Sequence, residues 1–348
     1  MDFNLLTQVI NDNFKEIEPN VYKPSKLGTL GLAAKYTKSK ADCNAVLIGK
    51  HKLNLFYKNK GFGFIYNQRP STNDAKAVKI CGDKFESEKH FKESGIKSPV
   101  SKAFDIDEYN LAKNYVETNN GKQVLKPANL NAGKGVVMNV DSTNFDFSWN
   151  QVIKAYGNSA KEKRVIIQNQ LDGIETRFLI IEGKFNSAML RVPANVIGNG
   201  NDTLETLIIH KNEEREKNPH LKKLPIKVND IILSNLNRMG MDLNYVPKNN
   251  ELVFLHVSSN ISLGGDSYEI SHLVNREMTE LAESAVKSIP GMRTAGVDIM
   301  FNSLEDKKPS VLEINAGANL RMHHYPWKGN VKKPIYDLID AMLDEHIS

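Results

Sequence analysis

The chain has 348 residues, of which 40% are apolar and 25% charged, enough for two or three packed lobes of an ordinary globular protein. No apolar run approaches the roughly 20 residues that span a bilayer, and the start Met1-Asp2-Phe3-Asn4 lacks the basic and apolar regions of a secretory signal. Two cysteines, Cys43 and Cys81, are too few for a disulfide framework, so a reducing, cytoplasmic setting without membrane insertion is expected.

The net charge of +5 raises nucleic-acid binding as a function. The lysines are scattered, however, and arginines do not interleave with aromatic residues as on a stacking platform, so no nucleic-acid partner is expected.

Residues 1–82 read as short mixed segments, with apolar bursts at Ala45-Val-Leu-Ile48 and Phe62-Gly-Phe-Ile-Tyr66, and are taken as an N-terminal α/β lobe. At Asp83 the pattern sharpens. Asp83 followed by Glu86 is a capping-box signature, and Gly95 before Pro99 stops the helix that Asp83 starts. A strand ending in Val124-Leu-Lys126-Pro127 leads into a loop through Asn131, Gly133, Lys134 and Gly135, and a return strand follows over 136–139. Another strand covers 165–168. A hairpin over 177–191 turns at Glu182-Gly183, and an apolar segment Leu255-His256-Val257-Ser258 is read as a strand before a second glycine loop. Apolar residues at helical spacing over 275–288 and from Pro334 to about Leu343 mark two core-facing helices, and strands 294–301 and 311–315 are joined by a charged loop.

Two groups of residues carry chemistry. Glycines at 133 and 135 let the backbone approach an anion closely, but the loop is no Walker P-loop, because Ala128 stands where its first glycine should be. Gly198-Asn-Gly200 likewise lacks the third glycine of a Rossmann fingerprint. The second group is Asp298, Glu313 and Asn315. Each sits between apolar neighbours, and residues 313 and 315 share one strand face. If the two strands pair, Asp298 joins them, which assembles hard oxygen donors suited to Mg²⁺ on nucleotide phosphates. Burying two acids without a cation would be costly.

From about Asp83 to Leu343 the chain resembles the ATP-grasp superfamily. It is most similar to the ATP-grasp module of bifunctional glutamate–cysteine ligase/glutathione synthetase and to the ATP-grasp domain of cyanophycin synthetase. The resemblance rests on Lys126-Pro…Gly133-Lys-Gly135-Val, Gly173-Ile-Glu175-Thr-Arg177, Arg191-Val-Pro-Ala-Asn195-Val-Ile-Gly198, Asn260-Ile-Ser262-Leu-Gly264-Gly265, Ala295-Gly-Val-Asp298, Glu313-Ile-Asn315 and Leu320-Arg321-Met-His323. It implies an α/β (α+β) ATP-grasp fold in which two α/β lobes clasp ATP. These would be a small lobe over 83–170 and a C-terminal lobe over 171–348.

The resemblance also implies an ATP-dependent carboxylate–amine ligase acting through an acyl phosphate on amino-acid or peptide substrates. It places Lys89, Lys126 and the loop of Asn131, Gly133, Lys134 and Gly135 on ATP phosphates. Gln168, Asn169, Gln170 and Leu171 would receive adenine, and Glu175 the ribose. Asp298, Glu313 and Asn315 would hold two Mg²⁺ ions, with Mn²⁺ as an alternative. Arg191, Asn260, Gly264, Gly265 and Arg321 would border the reacting groups. Gln168 departs from the family's usual Glu, which bears on the adenine contact. His256 in the strand over 255–258, where glutathione-forming relatives carry charged residues, and Asn315-Ala-Gly-Ala-Asn319, which lacks the family's Pro-Gly, leave the substrate pair open between glutathione-type, cyanophycin-type and other amino-acid ligation. A homodimer is also left open.

Overall fold

The computed structural model describes residues 1–130, 133–158 and 162–348. The chain opens with α1 (Phe3–Phe14) and α2 (Thr29–Lys38), then an antiparallel meander β1 (Cys43–Ile48), β2 (Lys52–Tyr57), β3 (Lys60–Tyr66) and β4 (Arg69–Pro70). The short α3 (Ala75–Ile80) leads to α4 (Lys84–Glu93). Asp83 caps α4 by accepting from the backbone N–H of Phe85 (3.0 Å) and Glu86 (3.2 Å). Glu86 does not reach back to complete the box; its carboxylate takes Lys89 instead.

A small lobe follows: β5 (Ser101–Asp105), α5 (Tyr109–Thr118), β6 (Gln123–Pro127), β7 (Val137–Val140), α6 (Phe145–Tyr156) and β8 (Arg164–Asn169). Its strands run β5-β8-β6-β7. Alternate residues Leu125, Val165 and Ile167 pack under Phe145, Trp149 and Val152 of α6.

The larger lobe contains β9 (Ile174–Ile181), β10 (Lys184–Val192), β11 (Asn195–Ile197), α7 (Leu204–Glu216), α8 (Asp230–Arg238), β12 (Leu252–Phe254), β13 (Asp266–Glu269), α9 (Arg276–Lys287), β14 (Ala295–Phe301), β15 (Ser310–Asn315), α10 (Leu320–His324) and α11 (Pro334–Ile347). Its main sheet has the order β13-β10-β9-β14-β15. The expected strand at 255–258 is not formed. Pairing with β11 ends at Phe254, and the chain then turns as Ser258 N–H donates to His256 Nδ1 (2.9 Å).

The period of two along β9 explains how this sheet positions a site. Ile174, Phe178 and Ile180 face one side and bury against Leu6, Val9 and Phe14 of α1 and Met278, Ala282 and Val286 of α9. Leu179 and Ile181 face the other side, where they join Leu53, Leu55 and Ile65 of the meander and Leu338, Ile339 and Met342 of α11. Glu175 and Arg177 share that second side, beyond the edge of the apolar cover. Among the described residues no helix is long and apolar enough to cross a membrane.

Candidate functional site

β14 and β15 pair antiparallel with Asp298 directly opposite Glu313. The register then slips between residues 298 and 299, a bulge of the kind that re-aims side chains near active sites. Asn315 Nδ2 donates to Glu313 Oε1 (3.0 Å) and approaches Asp298 Oδ2 (3.4 Å), so the three residues form one cluster.

Asp298 is buried, and its register partner on β9 is Arg177. Arg177 Nε and NH2 (2.8 Å) donate to the two carboxylate oxygens, and Arg191 NH2 lies 3.2 Å from Oδ2. Burial alone would raise the Asp298 pKa, but the Arg177 and Arg191 charges more than offset it and hold the carboxyl well below the usual range. Arg191 also pairs with Glu175, which accepts from Ser259 Oγ (3.1 Å). The result is a chain of alternating charges, Glu175–Arg191–Asp298–Arg177, across β9, β10 and β14, beside the more open Glu313 of β15.

Glu313 Oε2 is 3.8 Å from Lys84 Nζ, and that same ammonium donates to the carbonyl of Leu130 (2.6 Å). Lys84 thus links the carboxylate cluster to the loop leaving β6. Lys89 is placed elsewhere. Five positions along a helix is roughly 140° of rotation, so Lys89 is exposed, paired with Glu86 and lying over the Phe85 ring. Lys84, the first lysine of α4, reaches the carboxylate cluster, and Lys89, the one inferred from the resemblance, pairs away from it.

Lys126 is buried in the small lobe, with Gln168 Oε1 at 2.9 Å and Glu88 Oε1 at 3.2 Å. Gln168 Nε2 donates to the same Glu88 oxygen (3.2 Å). The Gln168 side chain is therefore engaged inside the lobe. Asn169 and Gln170 continue β8, their N–H groups bonded to Val100 and Lys122 carbonyls, while the Gln170 amide braces Asn139. Leu171 is half-buried where the chain leaves for the larger lobe.

Asn131 lies outside the described residues. Gly133 (φ +70°) and Gly135 (φ +72°) both adopt left-handed backbone, and the turn closes from Val136 N to Gly133 O (3.3 Å), with Lys134 exposed at its tip. A methyl group at Gly133 would sit 3.8 Å from Asn260 Nδ2, so this loop reaches the larger lobe. Asn260 caps the turn Ile261–Leu263 by accepting from Ser262 N–H (3.0 Å). Gly264 follows at φ +93°, with Ile226 so close that a Cβ would lie 2.8 Å from its side chain. Gly265 passes over the Val192 carbonyl.

Arg321 does not join the carboxylate cluster; its NH2 donates to the Pro219 carbonyl. Nearby His220 is a residue that no sequence pattern marked. Burial, with the Arg321 and Arg215 charges, pushes its pKa down to about 3. His220 Nε2, Arg321 Nε and His323 Nε2 are buried without hydrogen-bond partners among the described residues. Among the same residues, no group of three or more His, Cys, Asp or Glu is placed to hold a metal ion. A cation at Asp298 and Glu313 would rely on two acids, an amide oxygen and oxygens from outside the chain. That hard donor set fits Mg²⁺.

Residues 81–318 match the model of the ATP-grasp domain. The chain is 29% identical over 273 residues to the glutathione biosynthesis bifunctional protein GshAB of Clostridium perfringens, covering 76% of this chain and 34% of that protein. It is 29% identical over 276 residues to cyanophycin synthetase of Crocosphaera subtropica, covering 76% and 31%. The chain thus spans about a third of the length of these curated relatives. The fold is similar to the crystal structure of a bifunctional glutathione synthetase from Pasteurella multocida, with a TM-score of 0.66 at 21% identity over 91% of this chain and 43% of the other. With more than half its length matched by the domain model, the chain belongs to the ATP-grasp family.

Proposed function

We propose that this chain is an ATP-dependent carboxylate–amine ligase that joins amino-acid or peptide substrates. The observation that carries the reading is Lys84, whose ammonium touches both the Glu313 carboxylate and the Leu130 carbonyl of the glycine-bearing loop. It puts the phosphate-loop side and the metal-donor side of the cleft within one side chain of each other.

Bound Mg²⁺ would neutralise phosphate charge during phosphoryl transfer. Asp298, Glu313 and Asn315 are the residues to hold it, with two ions and Mn²⁺ substitution as the finer expectation. Lys84 and Lys126 supply cationic contacts to phosphate, and Gly133 and Gly135 give the loop its close approach. Arg191 and the Asn260–Gly265 turn border the position of the activated carboxyl. In the reaction, a substrate carboxylate oxygen bonds to the γ-phosphorus as ADP leaves. The amine nitrogen then bonds to the acyl carbon, phosphate departs, and the nitrogen loses a proton. Phosphoryl transfer asks mainly for positioning and charge neutralisation, so no protein nucleophile is needed. Both cysteines are free thiols, and burial pushes that of Cys81 up to about 12.

A phosphate-release screen with Mg-ATP over amino acids and dipeptides tests the proposal, and background turnover with every pair would overturn it. Including γ-glutamylcysteine with glycine tests the glutathione-forming alternative, which the similarity to GshAB favours. Preference for another pair would exclude it.

A further inference from the structure

β1 is the outer strand of the meander, and among the described residues no strand pairs with its free edge. Its hydrogen-bonding parity can be read from the neighbouring rungs. Lys58 N donates to Asp42 O (2.8 Å) across β1–β2, and Asn67 N donates to His51 O (2.6 Å) across β2–β3. Even-numbered residues of β1 therefore bond to β2, and Cys43, Ala45 and Leu47 turn their backbone groups to the open edge. In agreement, the Ala45 N–H is taken up by the side chain of its own neighbour, Asn44 Oδ1 (2.8 Å).

Edge strands are normally blunted by charge, proline or a bulge. This one carries no charged residue from Cys43 to Ile48, and Val46, Leu47 and Ile48 are 43%, 53% and 51% exposed. Val46 and Ile48 share their face with Phe64 and Tyr66, also exposed, through the rungs Val46–Asn54–Phe64 and Ile48–Lys52–Tyr66. The charges sit at the two ends: Asp42 before the strand and Lys50 after it, both exposed.

We propose that β1 pairs antiparallel with β1 of a second copy, about a twofold axis at Val46, so that two four-stranded sheets become one of eight. This register meets the parity requirement, because Ala45 bonds to Leu47 of the second copy and the reverse. It also brings Asp42 and Lys50 of the second copy, which lie in the turns just beyond the two ends of the strand, to the same end of the joint, twice by symmetry. The register with Ala45 on the axis would instead carry Asp42 toward Ile48 of the second copy and leave its charge without that partner. Pairing of identical edges is isologous, so the β1 edge is used up at two copies.

Light scattering on the full chain at tens of micromolar should give about twice 39.1 kDa. Asp42→Lys or Lys50→Asp should raise the dissociation constant by about tenfold or more, and the double exchange D42K/K50D should restore the dimer. In a chain carrying Cys43→Ser and Val46→Cys together, mild oxidation should link two copies, since residues facing across a non-hydrogen-bonded rung lie within disulfide reach. A single-chain mass for the unaltered protein would overturn the proposal. A dimer that neither single charge variant weakens and that oxidation of the Val46→Cys chain does not link would overturn it too.

Discussion

Arg177 and Asp298 face each other across adjacent strands as a two-pronged pair, with the guanidinium presenting Nε and NH2 to the two carboxylate oxygens. Both are buried, and the pair lies between the apolar cover of the sheet and the open end at Glu313. Removing one charge strands the other. Arg177→Met should therefore cost about 3–5 kcal/mol of stability, measured by urea unfolding. Arg177→Lys should cost less, because it keeps the charge but not the fork. Equal stability in all three proteins would mean that the pair does not hold the strands.

Glu313 is the half-buried acid of the donor cluster, and its replacement has a different signature. Glu313→Gln preserves shape and should leave the unfolding midpoint nearly unchanged, while ATP-dependent ligation falls by about 100-fold or more. Phosphate release under saturating Mg-ATP measures it. Full activity would remove Glu313 from the metal site.

The lysines of the nucleotide side can be ranked by placement. Lys84→Met should weaken ATP binding by about tenfold or more, whereas the exposed Lys89→Met should change it by less than about twofold. Lys126→Met should weaken binding and also destabilise the small lobe, because Glu88 loses its buried cation. Calorimetric titration of Mg-ATP separates the three. An affinity lost with Lys89 rather than Lys84 would restore the assignment taken from the resemblance.

Gly264 has two reasons to be glycine: left-handed backbone and no room beside Ile226. Gly264→Ala should cost about 1–3 kcal/mol, and it should raise the KM for the carboxylate substrate more than that for ATP. Thermal unfolding with initial-rate kinetics tests both parts. A KM change confined to ATP would place this turn on the nucleotide instead.

Stability should also depend on pH through buried neutral histidines. Burial, with neighbouring cations, pushes His220 down to about 3 and His324 down to about 4, from an ordinary value of 6.5. Between those limits the unfolded chain binds more protons than the folded one, so stability rises with pH through that window and levels off above about 6.5. The depressed Asp298 adds a loss at lower pH, because its contribution is present above the ordinary carboxylate value and disappears as pH falls through the folded one. Urea unfolding across pH 4–8 follows the histidine part, and His220→Gln should flatten the slope.

Much of this arrangement was legible in the sequence, for local reasons. Asp83 marks its helix start by short-range capping, and Glu313 and Asn315 share a face because a strand alternates. What needed coordinates was phase and register. Choosing between Lys84 and Lys89 requires knowing which side of α4 meets β15. Arg177 inside an apolar strand reads as a ribose-strand motif until its opposite number, Asp298, is known. His256 sits in an apolar run that continues past the point where pairing with β11 stops, so composition overshot the strand. His220 lies in a loop, where no periodicity signals burial.

The meander of β1–β4 shares one core with α2, which precedes it, and with α11, which follows it far along the chain. A ribosome makes α2 and these strands well before α11. While the intervening residues are being translated, Leu53, Leu55 and Ile65 have no completed core to enter. The lobe bearing Lys126, with its own separate core, can fold during that interval. Part of the meander's core then waits on α11, whose Leu338, Ile339 and Met342 complete it.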